Sequence, residues 1–208
     1  MPQTKTYDQI LSRINESNGI SRTIVGIAGS PAAGKSELAA RLAADINSQD
    51  PGSSIVVGMD GFHFDDVVLD RRGLRSVKGH PSTFDAAGFC HLVARLAACE
   101  PETAAPTFDR SLELSRAGST IVKKSVRVVV VEGNYLLLRE TPWEGLRDHF
   151  NLTVFVTASN ETLRSRLVER GRSYGWEDAA NKIEQSDLAN AALVIDGSHE
   201  ADMTYRTD

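Results

Sequence analysis

The chain has 208 residues, enough for one domain with a sizeable core and short for two. Its 41% hydrophobic and 25% charged content is ordinary for a globular protein, and a formal net charge of -5 argues against a general nucleic-acid or membrane-surface binder. It has no apolar run of membrane-span length, no signal-peptide layout and only two cysteines, Cys90 and Cys99, which leads us to expect a cytoplasmic protein with reduced thiols.

Tyr7, Ile10, Leu11 and Ile14 recur at helical spacing and predict an amphipathic helix that Asn18-Gly19 would stop. Residues 23–28 read as a buried strand, followed by a glycine-bearing turn and a helix carrying Leu38, Leu42 and Ile46. Residues 55–59 form a second strand. The stretch 60–82, rich in Gly, Arg and His, has neither period and reads as a long functional loop. Phe89, Leu92, Val93 and Leu96 mark a helix over 85–98. A short edge strand is expected at 120–123, and the most apolar run, 126–131, suits a strand buried on both faces. A further strand covers 152–156. The helix over 160–170 takes Ser159 or Asn160 as its cap and Gly171 as its stop. A last helix over 176–187 and a strand at 193–195 complete the chain. This alternation predicts a single α/β domain, its mostly parallel central sheet covered by helices on both faces. The apolar 120–131 region fits a homodimer paired edge to edge, and it fits a covered edge equally well.

Gly29-Ser30-Pro31-Ala32-Ala33-Gly34-Lys35-Ser36 matches G-x-x-x-x-G-K-[ST] in full, between a predicted strand and a predicted helix. Each residue type has its own reason. The glycines let successive backbone N–H groups turn inward on a β-phosphate without a side chain in the way. Lys35 reaches phosphate oxygens as a point charge, Ser36 offers a hydroxyl to Mg²⁺, and the helix start aims its positive end at the anion. The motif therefore implies ATP and Mg²⁺, held by Gly29, Ser30, Ala32, Ala33, Gly34, Lys35, Ser36 and Glu37 in a three-layer P-loop NTPase fold.

A GTPase would need its other motifs. Asp70-Arg71-Arg72-Gly73 and Asn181-Lys182-Ile183-Glu184 imitate them, but the first lies in the irregular stretch and the second ends in Glu inside a helix. A motor ATPase would need coupling modules that the length does not provide. A small-molecule kinase has positive support. Asp60 and Glu132 each lie just past a predicted strand, where a parallel sheet opens its ligand crevice. A carboxylate there takes a proton from an attacking hydroxyl or holds Mg²⁺. Arg164, Arg166, Arg170 and Arg172 cluster around one helix end. They fit a solvated face, or a lid near 164–175 that closes over the γ-phosphate; Arg166 and Arg170, one turn apart, are the favoured pair.

On these residues, the chain resembles the phosphoribulokinase, uridine kinase and pantothenate kinase family of P-loop kinases, and within it most resembles the small bacterial kinases linked with fructose import. The resemblance spans about residues 24–195. It rests on the phosphate loop, Met59-Asp60-Gly61-Phe62-His63, Gly79-His80-Pro81-Ser82-Thr83-Phe84-Asp85, Pro106-Thr107-Phe108-Asp109-Arg110, Glu132-Gly133-Asn134-Tyr135-Leu136-Leu137-Leu138 and Ser186-Asp187-Leu188-Ala189-Asn190-Ala191. It implies Asp60 as general base and Glu132 at Mg²⁺ or substrate. It also implies Arg110 at the acceptor or the transferred phosphate, Asn190 near the adenine, and His63, Phe64 and Tyr135 on the acceptor side. Acceptor loops are expected at about 60–84 and 105–118. The nucleoside-kinase signatures Tyr-Asp-Phe and His-Ser-Arg are replaced by Phe108-Asp109-Arg110-Ser111, which favours a sugar such as fructose over uridine. Pantothenate kinases of the family are longer chains. A nucleoside-like acceptor, a pantothenate-like acceptor and an idle ATP-binding regulator stay open as alternatives.

Overall fold

In chain order the elements are α1 (Tyr7–Asn15), β1 (Thr23–Gly29), α2 (Lys35–Gln49), β2 (Ser54–Gly58), α3 (Asp66–Arg72), α4 (Ala86–Ala97), β3 (Glu102–Asp109), β4 (Leu114–Lys123), β5 (Val128–Glu132), β6 (Leu152–Thr157), α5 (Asn160–Ser173), α6 (Leu188–Gly197) and β7 (Met203–Arg206). The computed structural model describes residues 4–16, 21–173 and 188–208. Among the described residues no helix is long and apolar enough to cross a membrane.

Five strands pair in the order β2-β5-β1-β6-β7, every pair parallel. Strand β1 at the centre is buried at all seven positions, as a strand covered on both faces must be. Its side chains alternate between two apolar layers. Ile24 and Ala28 join Val129 and Val131 of β5 against Phe89, Leu92 and Leu96 of α4 and against Trp143. Val25 and Ile27 join Val130 and Val154 against Ile10 of α1 and Leu38, Leu42 and Ile46 of α2. That is the three-layer α/β arrangement expected from the sequence.

The register sets the site. Glu132 pairs with Ile27 on one side and Gly58 on the other, so β5 and β2 finish level and β1 runs two residues further, to Gly29. The phosphate loop leaves the end of β1, and a short 3-10 turn, Met59–Phe62, leaves the end of β2 carrying Asp60.

Several local expectations are corrected. The 60–82 stretch contains α3, which Asp65 caps by accepting from Val67 N and Gly73 ends at φ +67°. Only Leu69 of that helix is buried, so no apolar period could reveal it. The D-x-x-G imitation is therefore a helix end. Residues 193–195 lie inside α6, with Val194 buried, and the last strand is β7; a three-residue apolar run does not separate helix from strand. Strand β3 was missed, and the expected edge strand is the end of β4, its antiparallel partner in a separate two-stranded sheet. Ala and Pro are poor strand signals, and the ladder shifts register between Ala105 and Thr107, with Pro106 at the irregularity. Gly171 does not stop α5; it is buried within the helix. Strand β5 has both edges paired, so the 126–131 run offers no edge to a second copy. The expected stop at Asn18-Gly19, the helix over 176–187, the Asn181–Glu184 imitation and the end of the lid segment lie outside the described residues.

Candidate active site

The turn after β1 bends through three left-handed residues, Gly29 at φ +146°, Ala32 at φ +60° and Gly34 at φ +97°. At Gly29 a Cβ would sit 2.2 Å from Val156 O, so both backbone and space require glycine. Gly34 supplies no side-chain cap to α2, which leaves the first-turn N–H groups of that helix for an anion. Lys35 is buried and donates from Nζ to Ser30 O at 2.9 Å. Burial holds its pKa down to about 8, only partly offset by Glu132 and Asp60, while Arg170 and Arg110 push the same way as burial.

Above the loop opens a cleft of about 740 Å³. Pro31, Ala32, Gly34, Lys35, Ser36 and Glu37 line one side, and Asp60, His63, Phe84, Phe108 and Arg110 another. Between them come Glu132, Gly133 and Asn134, with Arg166, Arg170 and Asn190 from the late helices. Glu132 lies 3.2 Å from where a Cβ on Gly58 would be, so a glycine at the end of β2 leaves room for it. Burial, and then Asp60, raise the Glu132 pKa; Lys35 and a hydrogen bond with Ser36 lower it. The cluster Lys35, Ser36, Asp60 and Glu132 thus joins one cation to two carboxylates and a hydroxyl, the hard oxygen donors that Mg²⁺ takes.

Asp60 is ion-paired with Arg110, which stands in the turn between β3 and β4. His63 Nδ1 lies 2.9 Å from Asp60 O, and its ring sits 3.9 Å from Phe84 and 5.0 Å from Phe108. Burial lowers the His63 pKa, against the pull of Asp60.

Most of the expected residues converge here, and several lie outside the cleft lining or are already engaged. Gly29, Ser30 and Ala33 shape the loop without lining the cleft. Phe64 is outside it, under the Arg72 guanidinium at 4.2 Å. Tyr135 is fully buried, outside the cleft lining, and donates its hydroxyl to Gly79 O. Asn190, expected near the adenine, lines the cleft with its Nδ2 3.7 Å from where a Cβ on Gly79 would be. Arg166 lines the cleft, yet its guanidinium is engaged with Ala32 O, Thr207 Oγ1 and Thr207 O. Arg164 and Arg172 are apart from Arg166 and Arg170, in a shallow groove along α5. Sequence reasoning missed Arg75, Lys78, Glu113 and Thr207; only the basic content of the 60–82 stretch hinted at the first two.

No protein-family model matches the chain. A candidate uridine kinase from Schizosaccharomyces pombe is 31% identical over 205 residues, covering 93% of this chain and 87% of its own. A pantothenate kinase from Limosilactobacillus reuteri is 29% identical over 149 residues, 71% of this chain and 48% of its own. The crystal structure of a candidate fructose transport system kinase from Silicibacter sp. superposes with a TM-score of 0.86 at 33% identity, covering 97% of this chain and 99% of that one. With its phosphate loop, its paired carboxylates and these relatives, the chain belongs to the phosphoribulokinase, uridine kinase and pantothenate kinase family of P-loop kinases, phosphotransferases that act on an alcohol group of a small molecule.

Proposed function

We propose that the chain transfers the γ-phosphate of ATP to a hydroxyl of a sugar, fructose being the first candidate, in the cytoplasm. The observation that carries this is the meeting of Asp60 and Glu132 with Lys35 and Ser36 in one cleft. The likeness to a chain described as a fructose transport kinase supports the sugar.

Backbone N–H groups of the loop and of the start of α2 would hold the β-phosphate, with Lys35 turning from Ser30 O to the phosphate oxygens. Ser36, Asp60 and Glu132 are the residues that would hold Mg²⁺, which when bound neutralises charge on the β- and γ-oxygens. Asp60 orients the acceptor hydroxyl and accepts its proton. Arg170 and Arg110 line the same cleft and would stabilise charge developing on the transferred group. Most of the acceleration would come from positioning and charge neutralisation, because phosphoryl transfer asks little covalent help of a protein.

The test is ADP release with ATP and Mg²⁺ across sugars, nucleosides and pantothenate. Stimulation by a sugar is the expected outcome. Stimulation by a nucleoside or pantothenate alone would overturn the sugar, and ATP binding without stimulation by any acceptor would point to an idle regulator.

A further inference from the structure

Where the cleft is walled by the segment after α3 and by the β3–β4 turn, three cations line it beside one carboxylate, Glu113. Arg75, Lys78 and Arg110 all face it, in a chain whose formal net charge is -5. Arg75 and Lys78 share a single carboxylate, Asp66, at 2.5 Å and 2.8 Å. Asp66 belongs to the first turn of α3 and does not line the cleft, so the carboxylate these two cations share lies behind them. Glu113, half exposed on the turn, is the second partner of Lys78, at 3.1 Å.

The cations also converge. The Lys78 ammonium lies 5.3 Å from the centre of the Phe108 ring and the Arg110 guanidinium 5.8 Å from the same ring. Lys78 is only 19% exposed, so a partner in the cleft would meet a largely desolvated ammonium, where pairing is strongest. Arg110 meanwhile holds Asp60. A second anion in the cleft would give Arg110 another partner and free Asp60 for the hydroxyl. A neutral sugar brings no such charge.

We propose that the acceptor is a polyhydroxylated compound bearing a carboxylate or phosphate group, held by Arg75, Lys78 and Arg110 while Asp60 takes its reacting hydroxyl. This rests on the kinase reading above and narrows its acceptor.

The test compares ADP release, with ATP and Mg²⁺, for fructose against fructose 1-phosphate and fructose 6-phosphate, and for glucose against gluconate. The charged member of a pair should show a KM lower by about tenfold or more, and the two series separate phosphate from carboxylate. Lys78→Gln and Arg75→Gln should each raise that KM by about tenfold, with the Kd for ATP unchanged in titration calorimetry. Glu113→Gln, which removes a competing carboxylate from the turn, should lower it. Equal or better turnover of the neutral sugars would overturn the charged acceptor and leave the kinase intact. A loss of ATP affinity in Lys78→Gln, with acceptor KM unchanged, would assign these cations to the nucleotide instead. No stimulation by any compound, with ATP bound, would sink the kinase reading and this inference with it.

Discussion

Thr207 Oγ1 accepts from Arg166 Nη1 at 2.9 Å and donates to Ala33 O at 3.0 Å, so one hydroxyl beyond β7 ties α5 to the back of the phosphate loop. Arg166 Nη2 adds a bond to Thr207 O at 3.0 Å, and Thr207 N bonds Thr157 O at 3.1 Å. The loop is thereby fixed to β6 and α5, elements that contribute nothing to the G-x-x-x-x-G-K-[ST] motif. A phosphate site works by having its N–H groups aimed before the anion arrives, and these bonds supply that aim.

Thr207→Val removes the hydroxyl at nearly constant volume. It should weaken ATP binding by about 5- to 10-fold, the worth of one to two hydrogen bonds of which one is to a charged group. Thr207→Ser should restore most of the affinity. Titration calorimetry with ATP and Mg²⁺ checks both; unchanged affinity in the valine variant would leave the contact a matter of stability alone.

Asp60→Asn keeps the shape of the side chain while removing its charge and basicity. Because Asp60 is the proposed base, its loss should lower turnover about 10²-fold or more with the melting temperature little changed. Near-normal turnover would remove Asp60 as base and leave it a partner for Arg110 or Mg²⁺. Lys35→Ala should abolish turnover altogether.

How far the sequence could lead is visible in these same residues. The phosphate loop, Asp60 and Glu132 could be placed because each sits where a strong β-branched run ends, and a parallel sheet puts such ends on one rim. Arg75 and Lys78 were only hinted at by a basic stretch, because their place on the cleft depends on how the chain after α3 folds back onto Asp66. Thr207 could not be found at all, since its partners Ala33 and Arg166 are 174 and 41 residues away. Tyr135 shows the opposite case: the resemblance implied a place on the acceptor side, but the chain beyond β5 carries its ring into the core.

That core position gives a further test. Tyr135→Phe keeps the packing against Phe84 and Trp143 and removes the hydroxyl with its bond to Gly79 O. An unmet backbone carbonyl and a looser acceptor loop should together raise acceptor KM by a few-fold and lower stability by about 1 kcal/mol. The affinity for ATP should not move. A change confined to ATP would mean that the loop at Gly79 serves the nucleotide.

Lys35 yields the prediction in which the sign matters most. Its pKa is held down to about 8 from an ordinary value of 10.5, with desolvation as the first cause. Below pH 8 the ligand-free fold must bury a charged ammonium, and this opposes folding. Between about pH 8 and 10.5 the native state holds fewer protons than the unfolded one, so stability contributed through this group rises with pH. Lys35→Met should therefore give an inactive protein that is more stable than the parent without nucleotide at pH 7, by about 1–3 kcal/mol. The advantage should shrink toward pH 10, and denaturant midpoints across that range measure it. Binding runs the other way. A triphosphate favours the charged ammonium, so ATP should bind more weakly as pH rises past 8 and should take up a proton there. Calorimetry in two buffers of different ionisation enthalpy reads that proton directly. If no proton is taken up at pH 9, Lys35 is already charged in the free protein, and desolvation does not govern it.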